Sequence, residues 1–191
     1  IQKIIDDIDD SVSAVANEWT NSFRDSFVAE DGTGASASVD RLANDFLLYY
    51  EKSLRTAKMQ TPLGILSGVQ SPQTIESLYN PSLTNELFLD GMSATKAFFN
   101  GNAFGDGAEG LGFDDYLSFV DSTLGDDINA QFDSATTAVM ALEPFATELE
   151  QIPATDMIAA YAIVQDAVAL LKSDMFSALS IVIDFQDQDN D

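Results

Sequence analysis

In the opening stretch IQKIIDDIDDSVSAVANEWTNSFRDSF, the apolar residues Ile4, Ile8, Val12, Val15, Trp19 and Phe23 recur three or four positions apart. That spacing places them on one face of a helix ending near Phe27, with Asp6, Asp7, Asp9 and Asp10 mostly on the other. The same period returns in VDRLANDFLLYYEKSLRTAKMQ, where Val39, Leu42, Phe46, Tyr49 or Tyr50, and Leu54 form the stripe. Pro62 and Gly64 in TPLG then end the helix, because one lacks an interior N–H and the other releases the backbone. Between these two helices, AEDGTGASAS reads as a loop with Ser36 or Ser38 as a helix cap.

The pattern continues downstream. SGVQSPQTIESLYNPS predicts a connector with a short helical piece from Ile75 to Tyr79, and SLTNELFLDGMSATKAFFNG predicts a long helix with Leu83, Leu87, Met92, Ala94 and Phe98 inward. Gly91 weakens that helix by about 1 kcal/mol relative to alanine. Asn100 to Gly112 contains five glycines and no helical stripe, so it reads as a loop. In GLGFDDYLSF the period resumes at Phe113, Tyr116, Leu117 and Val120, with Asp114 and Asp115 in the first turn, where exposed N–H groups favour negative charge. Ile128, Phe132, Ala135, Val139, Leu142 and Leu149 mark another helix that Pro144 kinks or divides, and Met157, Tyr161, Val164, Val168, Leu171, Met175 and Leu179 mark the last. SIVIDF is the one competing strand signal. At least five helical segments without regular strand alternation predict an all-α, up-and-down helical bundle over residues 1–183, followed by an acidic tail, 184–191.

Composition limits the chemistry. The 191 residues are long enough for one substantial core, and 46 % hydrophobic with 21 % charged residues is an ordinary globular balance. With 32 Asp and Glu against 8 Lys and Arg, the net charge of -24 argues against an exposed nucleic-acid-binding face and against anionic lipid, and leaves cations as natural partners. There is no cysteine, hence no disulfide, thiol nucleophile or thiolate metal site. There is also no histidine, which removes the usual zinc sites, the Ser-His-Asp arrangement and the commonest base at neutral pH. No apolar run approaches the roughly 20 residues of a transmembrane helix. The chain starts at Ile1 rather than Met, which predicts processing or trimming, a removed secretion signal among the possibilities.

Carboxylates are the metal ligands on offer. Asp114, Asp115 and Glu109 would suit a hard ion such as calcium or magnesium, or part of an iron site. In the tail, Asp187, Asp189 and Asp191 stand two apart as in an EF-hand loop, but the Gly and the closing Glu are missing. A ferritin-like centre, which needs Glu-x-x-His helices, is excluded.

The stretches LANDFLLYYEKSLRTAKMQTPLGILSG, FFNG followed by GLGFDDYLSFV, and LLKSDMFSALSIVIDFQDQDND, in that order and spacing, resemble the imelysin-like family of bacterial envelope proteins, once grouped with peptidases and often associated with iron. The resemblance implies a fold of two adjacent four-helix bundles, the first carrying a GxHxxE motif. This histidine-free chain resembles the second half alone, so it is expected to be a fragment or cleavage product, or a lineage lacking the first half, with an N-terminal imelysin-like half as its partner. No GxHxxE role transfers to any residue here. GLGFDDYL corresponds to the family's loop-to-helix signature near the bundle interface.

Lys52, Arg55 and Lys58 gather three of the eight positive charges on one helix. Two readings apply: solvated pairing with Glu51 or another helix, and the anchoring of an anion or buried carboxylate at the inter-bundle cleft by Arg55 and Lys58. The resemblance supports the second. It implies a periplasmic or outer-membrane, cell-surface protein, non-enzymatic, serving iron or other ligand binding and uptake, with iron or calcium as the candidate cation. The alternatives are the non-catalytic half of a metal-dependent peptidase, whose key residues would lie outside this chain, and a protein-binding bundle.

Overall fold

The computed structural model describes residues 1–32, 34, 36–103 and 108–184. Every regular element in these residues is helical, and the one β feature is an isolated antiparallel bridge between Asn102 and Glu109. The described part of SIVIDF forms no strand. The residues group into two units: Ile1–Ala43 with the stretch from Ile181, and Asn44–Ser180.

In the first unit, helix α1 (Gln2–Glu18) passes through a π-helical turn, Trp19–Phe23, into α2 (Arg24–Ala29). The expected stripe forms but is not covered: Ile4 is 63 % and Trp19 40 % exposed, and no residue of α1 is buried. Helix α3 (Ser38–Leu48) follows the loop. Ser38, read as a cap, instead donates its hydroxyl to the Phe27 carbonyl while its N–H reaches the Glu30 carbonyl (3.1 Å), tying the start of α3 to the end of α2.

The second unit holds a continuous core. The helix begun by α3 continues as a π-helical segment, Tyr49–Gln60, and a last α turn, α4 (Thr61–Leu63). Phe46, Tyr50 and Leu54 are buried as expected, which resolves the Tyr49/Tyr50 alternative in favour of Tyr50. Gly64, in a left-handed conformation (φ 69°), ends the helix, and a Cβ there would run into the Val69 carbonyl. The short helical piece of the connector is a 3₁₀ turn at Pro72–Thr74 rather than Ile75–Tyr79. Ile75 is extended and buried, Ser77 has positive φ, and Tyr79 is fully exposed.

Helix α5 (Leu83–Phe99) buries Met92 as expected, but its buried face is otherwise rotated from the expected one. Phe88, Gly91, Met92, Thr95 and Phe99 are buried, whereas Phe98 is 44 % exposed. The reason is Gly91, where the helix approaches the π segment so closely that a Cβ would lie 2.7 Å from Leu54 Cδ1 and 3.2 Å from the Tyr49 hydroxyl. What reads as a weakness of the helix is a point of close packing.

Helices α6 (Phe113–Ser118) and α7 (Leu124–Met140) come next, then α8 (Phe145–Glu148) and α9 (Thr155–Ala169). The chain finishes with a π segment, Leu170–Met175, and α10 (Phe176–Ala178). Pro144 divides rather than kinks, standing as the N-cap of α8. The apolar positions of α9 and its continuation, from Met157 to Leu179, are buried as the period requires. α7 packs on α9, α5 and α6, and the long π segment packs on α9 and α5. Aromatic rings join these elements: Phe46 stacks on Phe98 (centroids 5.5 Å apart) and lies 5.8 Å from Phe113, and Phe99 meets Phe132 edge-on at 5.7 Å. Phe113 thereby anchors the GLGFDDYLSF segment to the core.

Gly64 and Gly68 offer a matched test, since Gly68 shares the left-handed conformation (φ 71°) but has open space where a Cβ would go. Gly68→Ala is expected to cost only the left-handed strain, about 1–2 kcal/mol, and to lower Tm by roughly 2–4 °C for each kcal/mol. Gly64→Ala adds a collision with backbone and should lower Tm by at least twice as much in a calorimetric melt.

Candidate functional site

Two places in the second unit concentrate charge. The first lies on the long π-helical segment, whose i→i+5 hydrogen bonding is rare and often associated with functional sites. Glu51 is fully buried, and Arg55, one turn on, is 1 % exposed. Three cations approach the Glu51 carboxylate: Lys52 Nζ at 3.2 Å, Arg55 Nη2 at 3.5 Å and Lys172 Nζ at 3.9 Å. Lys172 comes from the π segment Leu170–Met175, so that segment and Tyr49–Gln60 meet through this carboxylate. Arg55 also donates through Nη1 to the Tyr161 hydroxyl (3.1 Å) and to the Gln165 side-chain oxygen, and its guanidinium lies 6.0 Å from the Tyr161 ring centroid. Beside it, the Tyr50 hydroxyl donates to the Val164 carbonyl (2.9 Å). Burial pushes the Tyr50 phenol well above its ordinary range, so it stays a neutral donor.

Arg55 and Lys58 are therefore not brought to one point. Arg55 turns inward to Glu51, Tyr161 and Gln165, while Lys58 pairs with Glu76 of the connector. The Arg55–Glu51 pair is buried rather than solvated. The Glu51–Arg55 spacing of four residues was visible in the sequence, and a lysine inside the apolar run AVALLKSDMF was the available signal for Lys172. Nothing in the sequence linked Arg55 to Tyr161 and Gln165, more than a hundred residues away.

The second place is a hollow of about 200 Å³ between α6 and the start of α7, lined by Asp114, Asp115, Ser118, Asp121, Asp126 and Asn129 among others. The sequence identified Asp114 and Asp115; the fold adds Asp121 and Asp126 to the same depression. Their carboxylates have different duties. Asp115 accepts the Gly112 N–H (3.0 Å), capping α6, and Asp121 accepts the Thr123 N–H and hydroxyl (both 3.0 Å) and the Leu124 N–H (3.3 Å), capping α7. Asp114 Oδ1 is buried and has no hydrogen-bond partner. Glu109, the third expected ligand, sits in the Asn102 bridge and is exposed.

The two ends of this hollow titrate apart. Desolvation holds the Asp114 carboxyl above its usual range; hydrogen bonding from the Asp115 backbone opposes this, and the charges of Asp115 and Glu109 reinforce it. Asp121 is held below the usual range by the hydrogen bonds from Thr123 and Leu124. Among the described residues no three carboxylates stand close enough to enclose a metal ion directly. Asp187, Asp189 and Asp191 lie outside the described residues.

The arrangement is that of an all-α bundle with a buried ion cluster at its centre and an acidic hollow at one loop-to-helix junction. The sequence model of the family described as Imelysin (Peptidase_M75) matches residues 1–175, and the chain belongs to that family of bacterial envelope proteins. No curated protein and no solved structure matches. Among the described residues no helix is long and apolar enough to cross a membrane.

The Glu51 cluster predicts an asymmetric pair of variants. Glu51→Gln removes the carboxylate that three cations face and should cost about 3–5 kcal/mol, as when one partner of a buried pair is lost. Lys172→Met, whose side chain is partly exposed, should cost about 1 kcal/mol or less. Urea unfolding followed by circular dichroism separates the two.

Proposed function

We propose that this imelysin-family chain works by binding rather than by catalysis, and that its ligand is a hydrated divalent cation, iron or calcium, held weakly in the hollow of Asp114, Asp115, Asp121 and Asp126. The observation that carries this reading is Asp114 Oδ1, a buried acceptor with no protein partner, in a depression lined with carboxylates. The ligands are hard oxygens, which suit calcium, magnesium or iron rather than a soft metal. Among the described residues no three carboxylates converge to hold an ion directly, so the proposed contact is through the ion's own waters. A periplasmic or cell-surface position, with a role in iron or other ligand uptake, fits the family and the charge of -24.

The pH dependence follows from the shifted groups. Asp114, with its raised pKa, takes up a proton first as pH falls, while Asp121 remains ionised. Calcium or ferrous affinity should thus decline as pH falls through the Asp114 pKa, decline with added salt, and drop several-fold in Asp114→Asn at neutral pH. Isothermal titration on the full chain measures all three. A one-equivalent iron site indifferent to salt and to Asp114→Asn would overturn the proposal.

The exposed stripe of α1 favours a second reading, a bundle that binds protein, with an N-terminal imelysin-like half as the partner the family suggests. In either reading, Arg55 and Asp114 serve structure and binding, and proteolysis would need groups from elsewhere. Purified chain should leave an unfolded protein substrate intact with or without zinc, calcium or iron. Cleavage that survives repurification and vanishes in Arg55→Ala or Asp114→Ala would establish an enzyme instead.

A further inference from the structure

Helix α1 carries an apolar stripe, and its charges are arranged around that stripe rather than at random. At 3.6 residues per turn, Ile4, Ile8, Val12, Val15 and Trp19 share one face. Asp9 borders that face on one side, and Asp7 and Glu18 border it on the other. Over Gln2–Glu18 there are five acids and one lysine, and Lys3 lies on the far side. The stripe ends in an aromatic group: Trp19 meets Phe23 edge-on at 4.8 Å and Phe27 at 5.1 Å. A shallow hollow of about 590 Å³ lies beside the π turn Trp19–Phe23, with Val15, Glu18, Trp19 and Phe23 in its lining. Trp19 and Phe23 are 40 % and 47 % exposed.

We infer that this face is a docking surface for an amphipathic helix of a separate polypeptide, one whose apolar stripe is bordered by Lys or Arg, with a large apolar side chain seated between Val15, Trp19 and Phe23. The charge pattern selects this occupant. A second copy would set acidic borders against acidic borders, with 24 net negative charges on each chain. An anionic bilayer would meet Asp7, Asp9 and Glu18 at the depth where surface-lying helices place Lys and Arg. A basic-bordered helix pairs with both borders and buries the stripe, in the helix-on-helix mode with anchors at i, i+3 or i+4, and i+7. This inference rests on the protein-binding reading alone and stands apart from cation binding at Asp114.

Trp19 is the sole tryptophan, so its emission reports directly on the stripe. The full chain is titrated with two synthetic helical peptides of identical leucine stripe, one bordered by Lys and the other by Glu, and with vesicles of zwitterionic and of anionic lipid. The expected result is a blue shift of Trp19 with the Lys-bordered peptide, at least tenfold tighter than with the Glu-bordered one at low salt and weakening as salt rises. The preference should reverse in Asp9→Lys/Glu18→Lys and disappear in Ile8→Asp/Val15→Asp, with circular dichroism confirming that the bundle is folded in each. Equal affinity for the two peptides, a blue shift with vesicles alone, or a chain dimerised by light scattering with Trp19 already shielded would each overturn the proposal.

Discussion

Burial of the Glu51 carboxylate is the constraint around which the larger unit is organised. A carboxylate taken out of water costs several kcal/mol, and the cost is offset only by close opposite charge and hydrogen bonding. Lys52, Arg55 and Lys172 supply the charge, and they come from two separate π-helical segments. The geometry therefore fixes the register of the segment Tyr49–Gln60 against the helix Thr155–Ala178. Arg55 extends the same constraint to Tyr161 and Gln165, and Tyr50 adds a neutral bond to the Val164 carbonyl one turn away. Apolar packing resists a slide of these two long helices by a turn, and a slide would also separate Glu51 and Arg55 from their partners. The ion cluster makes one register much better than its neighbours.

Close packing supplies the second fixed point. Gly91 lets α5 approach the π segment at Leu54 and Tyr49, and Phe99 then reaches Phe132 on α7. Phe113, 5.8 Å from Phe46, holds α6 against this frame. The acidic hollow is thus positioned from beneath by aromatic contacts, while its carboxylates are oriented by helix capping. Two of the four carboxylates are committed to N–H groups at Gly112, Thr123 and Leu124, while burial makes ionisation of the Asp114 carboxyl costly. Splitting two acids in one depression in this way makes its charge respond to pH in steps.

The helical class was legible because a period of three to four residues survives in almost every segment, from Ile4 to Leu179. Faces were less legible. In α5 the choice between Leu87/Ala94/Phe98 and Phe88/Thr95/Phe99 is a rotation of one residue, and hydrophobicity misdirects it because the buried set includes Thr95, whose hydroxyl is satisfied within the helix by the Gly91 carbonyl; the close approach at Gly91 favours this face. The connector failed for a related reason, since Ile75 is buried as an extended residue and periodicity carries no sign of that. In the candidate sites, Asp114 and Asp115 were found from local sequence alone. Asp121 and Asp126 joined them only through the packing of α6 on α7, and Tyr161 joined Arg55 only through the packing of α9 on the π segment.

The same period in α1 and in α9 leads to opposite outcomes, exposed in one and buried in the other, and the difference lies in what borders the stripe. Helix α9 is apolar or small over most of its circumference, so a core is the only place for it. Helix α1 has acids on both borders, which set like charge against like charge in any contact between two copies of that face. Repulsion between chains of net charge -24 is felt over about 10 Å at 0.1 M salt, enough to act across a helix–helix contact and too short to oppose approach from a distance. The acidity of the chain and the exposure of its first helix are in this sense one feature: like charge opposes contact between two copies of the open apolar surface, and the same charge favours a positively charged cover.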